Sequence, residues 1–130
     1  MFENVKRGTY AIGNKEIYFR SLWEANYALY LEWLKEQGQI QEWEYEPERY
    51  YFIFKEGKKL RSLGNGYLPD FRVWETKQKF YLVEIKGYGQ GTQKLKRMKK
   101  YHPEIRIELV DKNSYGDLKR KLGKVLHFYT

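Results

Sequence analysis

Asp70, Glu84 and Lys86 are three residues whose types and spacing could do chemistry together. Two neighbouring carboxylates bind a hard divalent cation, and an amine beside them can orient or deprotonate a water. The acids are far apart in sequence, so this chemistry requires a structure that brings them together. Taken alone, the same residues also fit a Glu84–Lys86 ion pair at the rim of a sheet, with a turn at Pro69-Asp70.

A β-hairpin is the element that would bring the two acids together. The segments Asp70–Trp74 and Phe80–Lys86 are rich in aromatic and β-branched residues and flank a polar spacer. This pattern predicts two antiparallel strands joined by a loop of about five residues. If the turn centres on Lys77, Asp70 lies opposite Glu84, with Cβ atoms roughly 5 Å apart on one face.

The second strand of this hairpin is apolar on both faces. Phe80 and Leu82 alternate with Tyr81, Val83 and Ile85. Such a pattern is typical of a central strand that is covered on both sides. An acid and an amine at the end of a buried strand cost several kcal/mol unless they are paired or bind a metal.

Length and composition indicate one globular domain. The chain has 130 residues, 42% of them hydrophobic, and we expect residues 1–130 to form a single domain. Residues 1–20 could be an N-terminal arm or a dimerisation segment, and Ile17–Phe19 could equally form a short strand. No apolar run is long enough to span a bilayer, and no signal-peptide pattern begins the chain. We therefore expect a cytoplasmic protein.

The net charge and the available metal-binding residues limit the partners and metal sites that the protein could have. The net charge of +8 favours an anionic partner, of which nucleic acid is the commonest. The chain has no cysteine, which excludes disulfides and thiolate metal sites. The histidines are His102 and His127 alone, so a multi-histidine site is not expected. A metal held by oxygen ligands would be Mg²⁺, with Mn²⁺ as a substitute.

A helix is predicted to start after Ser21. Ser21 and Glu24 fit a capping box, and Gly38 is a stop signal at the other end. Glu24 lies on the same helix face as apolar residues such as Tyr27 and Leu31. This acid has two explanations: it caps the helix, or it points into a buried polar site.

The remaining chain predicts alternating elements. The predictions are strands at Ile40–Glu46 and Tyr50–Phe54, a polar loop at Lys55–Gly66, a strand at Ile105–Val110 parallel to Phe80–Lys86, and a helix at Asp117–Leu126.

A basic helix is predicted at Thr92–Tyr101, after a glycine-rich hinge at Gly87–Gly91. It is either a solvated helix face or a surface that grips phosphates next to the hairpin. The candidate DNA-binding residues there are Gln93, Lys94, Lys96, Arg97, Lys99 and Lys100.

With these elements in order, residues 17–110 resemble the PD-(D/E)XK nuclease superfamily. The motif stands as Pro69-Asp70 followed by Glu84-Ile85-Lys86. The resemblance implies an α/β fold, a restriction-endonuclease-like core with a central mixed β-sheet flanked by helices. The N-terminal helix is similar to that of small phage endonuclease I-type junction resolvases and transposon-end nucleases.

The resemblance also implies a site and a reaction. Asp70, Glu84 and the Ile85 carbonyl would bind Mg²⁺, and Glu24 would join them directly or through a water. Lys86 would position the attacking water, which makes Glu24, Asp70, Glu84 and Lys86 the catalytic set.

The expected function is metal-dependent hydrolysis of DNA phosphodiester bonds, selective for branched DNA such as a Holliday junction. Symmetric cuts on a junction need two active sites, so we expect a homodimer. We expect no membrane and no small-molecule substrate. Two alternatives remain: a non-catalytic DNA-binding or assembly protein on the same fold, and the cleaving subunit of a transposition or restriction complex.

Overall fold

A computed structural model describes residues 6–85 and 92–130 of the protein. Its helices are α1 (Leu22–Glu36), α2 (Thr92–Tyr101) and α3 (Lys112–Leu122). Its strands are β1 (Gly8–Ile12), β2 (Lys15–Phe19), β3 (Glu42–Tyr45), β4 (Ile53–Glu56), β5 (Lys59–Ser62), β6 (Phe71–Trp74), β7 (Phe80–Ile85) and β8 (Ile107–Val110). The mixed α/β class is confirmed. Within these ranges, none of the helices is long and apolar enough to cross a membrane.

The central sheet has four strands in the order β3-β6-β7-β8. β6 pairs antiparallel with β3 and β7, whereas β8 runs parallel to β7 after the α2 crossover. The predicted hairpin and the predicted parallel crossover are therefore confirmed. The hairpin register pairs Phe71 with Val83 and Trp74 with Phe80. Continued by one residue, this register places Asp70 opposite Glu84, as the sequence predicts.

Apolar side chains cover both faces of the central sheet. On one face, Phe71 and Val83 pack in a buried cluster with residues of α1 and α3 such as Leu31 and Tyr115. On the other face, Leu82 packs in a second cluster with residues such as Met98 of α2. Fully burying a side chain of this kind stabilises the fold by about 1.5–3 kcal/mol. β7 is thus the doubly covered central strand that its sequence predicts.

Helix α1 has the predicted ends. The Ser21 Oγ accepts the Glu24 backbone N–H at 3.1 Å, which caps the first turn. Gly38 has φ 75 and donates its N–H to the Lys35 carbonyl, which closes the last turn. The Glu24 carboxylate accepts from the backbone N–H of Arg20 rather than from that of Ser21. The capping box is therefore only half formed, and Glu24 is available to face other groups.

The segment between Tyr50 and Gly66 differs from its prediction. A strand begins at Ile53 rather than Tyr50, and the expected loop contains β5, which pairs with β4 in a hairpin. Tyr50 instead forms an isolated antiparallel bridge with Tyr67. The hairpin is exposed on both sides, so its sequence lacks the apolar alternation that identifies a half-buried strand.

The predicted bounds of α3 were also wrong, and β3 and β8 each begin two residues later than predicted. Helix α3 begins at Lys112 rather than Asp117, because the Asp111 side chain accepts the Ser114 N–H at 2.9 Å and caps it. It ends at Leu122 rather than Leu126, with Gly123 at its C-cap. At the chain start, β1 and β2 form a hairpin, so the Ile17–Phe19 strand is confirmed within a longer one.

Gly66 and Gly57 allow a matched test of the backbone between β3 and β6. Both have positive φ, 73 and 65, where an added Cβ costs about 1–2 kcal/mol. At Gly66 the Cβ would lie 2.3 Å from the Tyr50 carbonyl oxygen, whereas at Gly57 it meets nothing within 4 Å. We expect Gly66→Ala to lower the free energy of unfolding by at least about 2 kcal/mol more than Gly57→Ala. Urea denaturation measures both, and equal losses would contradict this backbone contact.

Candidate functional site

The candidate site lies where β6 begins and β7 ends. Asp70 directly precedes β6, and Glu84 is the next-to-last residue of β7. One carboxylate oxygen of Asp70, Oδ2, accepts the Ile85 backbone N–H at 2.7 Å. This hydrogen bond holds the Asp70 side chain against β7, beside the position of Glu84.

A buried tyrosine holds Glu84. The Tyr67 hydroxyl donates to the Glu84 Oε1 at 2.7 Å, and the Tyr67 residue is only 3% exposed. Burial and the negative charge of Glu84 raise the pKa of Tyr67 well above its usual value. The phenol therefore keeps its proton and remains a donor, which keeps the Glu84 carboxylate in a defined orientation.

Glu24 reaches the same end of the sheet from α1. Its Oε1 accepts the Tyr45 hydroxyl at 2.6 Å and the Arg20 backbone N–H at 3.2 Å. Burial raises the pKa of Glu24, although both hydrogen bonds act in the opposite direction. The second explanation for this acid, a position at a buried polar site, therefore holds alongside its role near the helix cap.

Asp70 experiences the charges of the other acids. Burial first, and then the negative charges of Glu84 and Glu24, raise the pKa of Asp70 to about 9. The Ile85 N–H acts in the opposite direction but does not offset them. Neighbouring carboxylates in a half-buried site repel one another when ionised, and a nearby positive charge reduces that repulsion. The electrostatics of the site thus favour a bound positive charge.

Glu46 is an acid of this site that the sequence did not identify. The β3–β6 register pairs Tyr45 with Phe71, and the Glu46 N–H continues it by donating to the Asp70 carbonyl at 2.7 Å. Its charge raises the pKa of Asp70, and its carboxylate pairs with the Arg20 guanidinium at 3.2 Å. The predicted strand Ile40–Glu46 already contained Glu46, but the sequence did not show which strand pairs with it.

The predicted site residues divide into three groups. Asp70 and Glu84 are brought together, and Glu24 lies near enough for its charge to act on Asp70. The Ile85 N–H has a described role, whereas metal ligation by its carbonyl stays a prediction. Lys86 and the Gly87–Gly91 hinge lie outside the described residues.

The oxygen donors fit a hard divalent cation in an open site. In the described part of the chain, no three His, Asp or Glu side chains form a cluster that could hold a metal ion by themselves. Mg²⁺ usually keeps several waters and takes one or two carboxylates together with substrate phosphates. Asp70 and Glu84 match that ligand set, with the remaining positions left to water and phosphate oxygens.

Helix α2 has the predicted bounds and places its basic residues outward. Met98 is fully buried against the sheet. Of the candidate DNA-binding residues, Gln93, Lys94, Lys96, Lys99 and Lys100 are exposed and Arg97 is half-buried. Contact with DNA stays a prediction for all six.

The raised pKa of Asp70 has a testable consequence for stability. Between about pH 4 and pH 9 the unfolded chain releases a proton that the metal-free folded protein keeps on Asp70, so rising pH favours unfolding. We therefore expect Asp70→Asn to stabilise the metal-free protein by about 1–3 kcal/mol at pH 8, and by less at pH 5. Urea denaturation in a chelator at both pH values measures this difference.

The matched control is Asp117→Asn, which alters an exposed aspartate on α3. It should change stability by less than about 0.5 kcal/mol at both pH values. Mg²⁺ should stabilise the wild type and Asp117→Asn but not Asp70→Asn, by about 2.7 kcal/mol at a hundred times the dissociation constant. The same pH dependence in wild type and Asp70→Asn would refute the described environment of Asp70.

Comparisons with known proteins give a family and no activity. No curated protein and no solved structure matches the chain. One family model matches residues 5–122, a stretch that includes the acids and α2. The chain belongs to the family described as "Protein of unknown function (DUF1064)".

Proposed function

We propose that the protein is a metal-dependent endonuclease that hydrolyses DNA phosphodiester bonds. The observation that carries this proposal is the pairing of Asp70 with Glu84 at the end of a doubly covered β-hairpin. Half-buried acids placed together against their mutual repulsion are typical of a site that binds a cation. The net charge of +8 and the basic outer face of α2 supply a positively charged surface that would attract an anionic substrate.

The fold proposal is a restriction-endonuclease-like core. Three features support it: α1 packs on one face of the sheet, the β6–β7 hairpin lies at its centre, and the β7–α2–β8 crossover follows directly. These features stand in the chain order that the PD-(D/E)XK resemblance implies. The acids lie on the hairpin at the positions of that motif.

Each side chain of the site would have a different role. Asp70 and Glu84 would hold Mg²⁺, with one Asp70 oxygen fixed by the Ile85 N–H and Glu84 oriented by the Tyr67 hydroxyl. When bound, the cation supplies Lewis-acid chemistry: it acidifies a water and neutralises charge on the scissile phosphate. Glu24, held by the Tyr45 hydroxyl, would orient a water at the same end of the sheet.

Lys86 completes the proposed catalytic set. It directly follows Ile85 in the sequence and would accept a proton from, or stabilise, the attacking water. The exposed cations of α2, which begins soon after, would bind the phosphates that flank the cut. Each of these roles is part of the proposal.

The finer proposal is selectivity for branched DNA by a homodimer. It is supported by the likeness of the N-terminal helix to that of small phage junction resolvases. A four-way junction is resolved by two symmetric cuts, which require two copies of the proposed site. Mg²⁺ is the proposed cofactor, and Mn²⁺ should replace it because both prefer oxygen ligands.

Cleavage tests the proposed site. We expect Asp70→Asn and Glu84→Gln each to lower the cleavage rate at least about a hundredfold, since each removes a carboxylate ligand. The assay uses labelled duplex, flap and four-way junction DNA with Mg²⁺ or Mn²⁺. Asp117→Asn is the matched control and should cut like the wild type. Equal cleavage by wild type and Asp70→Asn would reject this site.

Tyr67→Phe tests whether positioning of Glu84 matters. The change removes the hydroxyl that donates to Glu84 but keeps the buried ring. We expect the Mg²⁺ concentration for half-maximal cleavage to rise about 10- to 100-fold, as for other residues that orient a metal ligand. Tyr18→Phe removes a hydroxyl from a tyrosine that is 55% exposed and should leave the Mg²⁺ dependence unchanged. A rate loss with unchanged Mg²⁺ dependence would contradict a positioning role.

One observation favours a second candidate function, a non-catalytic DNA-binding or assembly protein. The described residues contain no closed cluster of three metal-binding side chains. In that case the acids would have no role in cleavage, and the basic surface would carry the function. Tight DNA binding without metal-dependent cutting on every substrate of the panel would support it. Cutting that appears only with added host or phage extract would instead indicate the cleaving subunit of a larger complex.

A further inference from the structure

The β4–β5 hairpin forms an exposed two-stranded ribbon, which we call the ribbon (Ile53–Ser62). Its register pairs Ile53 with Ser62 and Glu56 with Lys59, so its turn is the dipeptide Gly57-Lys58. Apart from the half-buried Phe54, every residue of the two strands is exposed. A ribbon that is exposed on both faces gains little from burial in its own fold. Its exposed side chains are therefore available to a partner.

The ribbon is strongly basic. Its cations are Lys55, Lys58, Lys59 and Arg61, and its single acid, Glu56, pairs with Arg61 at 3.0 Å. Of the three lysines, Lys55 lies on one face of the ribbon, Lys59 lies on the opposite face, and Lys58 lies in the turn. Such a basic surface attracts an anionic partner and releases counterions when it binds phosphates.

The base of the ribbon is joined to the candidate site. The backbone of Phe52 accepts from Leu63, and the next pair inward, Tyr50 and Tyr67, exchanges two hydrogen bonds of 2.7 Å. Phe52 is completely buried in the apolar cluster that also contains Tyr67 and residues of α2. Tyr67 in turn donates to Glu84. The ribbon is therefore connected through its base to Tyr67, the residue that orients a proposed metal ligand.

The size of the ribbon suits a groove of duplex DNA. The major groove is about 12 Å wide and 8.5 Å deep and admits a two-stranded β-ribbon. At no more than about 3.6 Å per residue, the turn lies within about 32 Å of Tyr67. One turn of duplex DNA is about 34 Å. The ribbon could therefore contact the same helical turn as the phosphate at the site.

The ribbon also exposes apolar side chains between its cations. Leu60 is 69% exposed and Ile53 is 48% exposed, and both lie on the ribbon face that carries Lys55. A lysine beside exposed aliphatic side chains matches a DNA groove, where phosphates border base edges and thymine methyl groups.

We propose that the ribbon inserts into a groove of duplex DNA and anchors the protein beside the scissile phosphate. Lys55, Lys58 and Lys59 bind backbone phosphates, and Leu60 contacts base edges. This anchor uses different residues from those of α2, which packs on the sheet face that carries Leu82. The choice of DNA as the partner rests on the proposed function, whereas the anchoring role makes no use of the carboxylates.

The test compares two triple variants in DNA binding. One replaces the ribbon lysines (Lys55→Ser, Lys58→Ser, Lys59→Ser), and the control replaces three exposed lysines at or just beyond α3 (Lys112→Ser, Lys121→Ser, Lys124→Ser). Fluorescence anisotropy with labelled duplex and four-way junction DNA is recorded in a chelator from low to moderate salt, so that binding is measured without cleavage. Both variants lose the same charge, and thermal melting confirms that both fold.

We expect the ribbon variant to lose tenfold or more in affinity near 0.1 M salt. The slope of its log affinity against log salt concentration should be smaller in magnitude by about 2 to 3, since each phosphate contact contributes about 0.9 to the slope. The α3 control should bind within twofold of the wild type. Equal affinity and slope in the ribbon variant and the wild type would overturn the ribbon proposal.

The outcomes separate this inference from the nuclease proposal. If the wild type cuts DNA and the ribbon variant binds like the wild type, the ribbon inference fails and the nuclease proposal stands. If the ribbon variant alone loses binding but no DNA is cut, the inference stands and the nuclease proposal fails. If the wild type binds no DNA, both fail, and the ribbon instead suits an acidic protein surface.

Discussion

The burial of neighbouring carboxylates is the constraint on which this structure depends. Asp70 has a pKa raised to about 9 because it is buried and lies near the charges of Glu84 and Glu24. A fold keeps such a cluster only if other interactions hold the acids in place. Here the Ile85 N–H and the Tyr67 and Tyr45 hydroxyls do so, each through one hydrogen bond. Specific hydrogen bonds thus hold these acids close together at one end of the sheet.

The two-sided core makes this arrangement possible. β6 and β7 lie in the middle of the sheet, with one apolar cluster toward α1 and α3 and another toward α2. Because Phe71 and Val73 of β6 alternate with Arg72 and Trp74, a shift of one residue in the register of β6 would move Phe71 and Val73 off the face that α1 covers. The register that buries Phe71 and Val83 is the same register that places Asp70 opposite Glu84. Packing energy therefore sets the geometry of the acids.

Surface charge is distributed around this centre on two different elements. Helix α2 buries Met98 and keeps lysines outward, whereas the ribbon is exposed on both faces and rooted through Phe52. Helix α2 and the residues that flank the ribbon, Phe52 and Leu63, contribute to the apolar cluster that contains Tyr67, which contacts Glu84. Both elements are thus connected through this cluster to Tyr67, the residue that donates to Glu84.

The sequence by itself determined the β6–β7 hairpin, its register, the caps of α1 and the bounds of α2. Those features follow from local patterns: runs of aromatic and β-branched residues around a polar spacer, a Ser21 cap and a glycine stop. Only the tertiary structure decided that Glu46 continues β3 to face Asp70, that Tyr67 holds Glu84, and that residues 53–62 form a ribbon. The physical reason is that these depend on which strand pairs with which over long sequence separations, or on exposed strands without an apolar pattern. Local sequence carries neither kind of information.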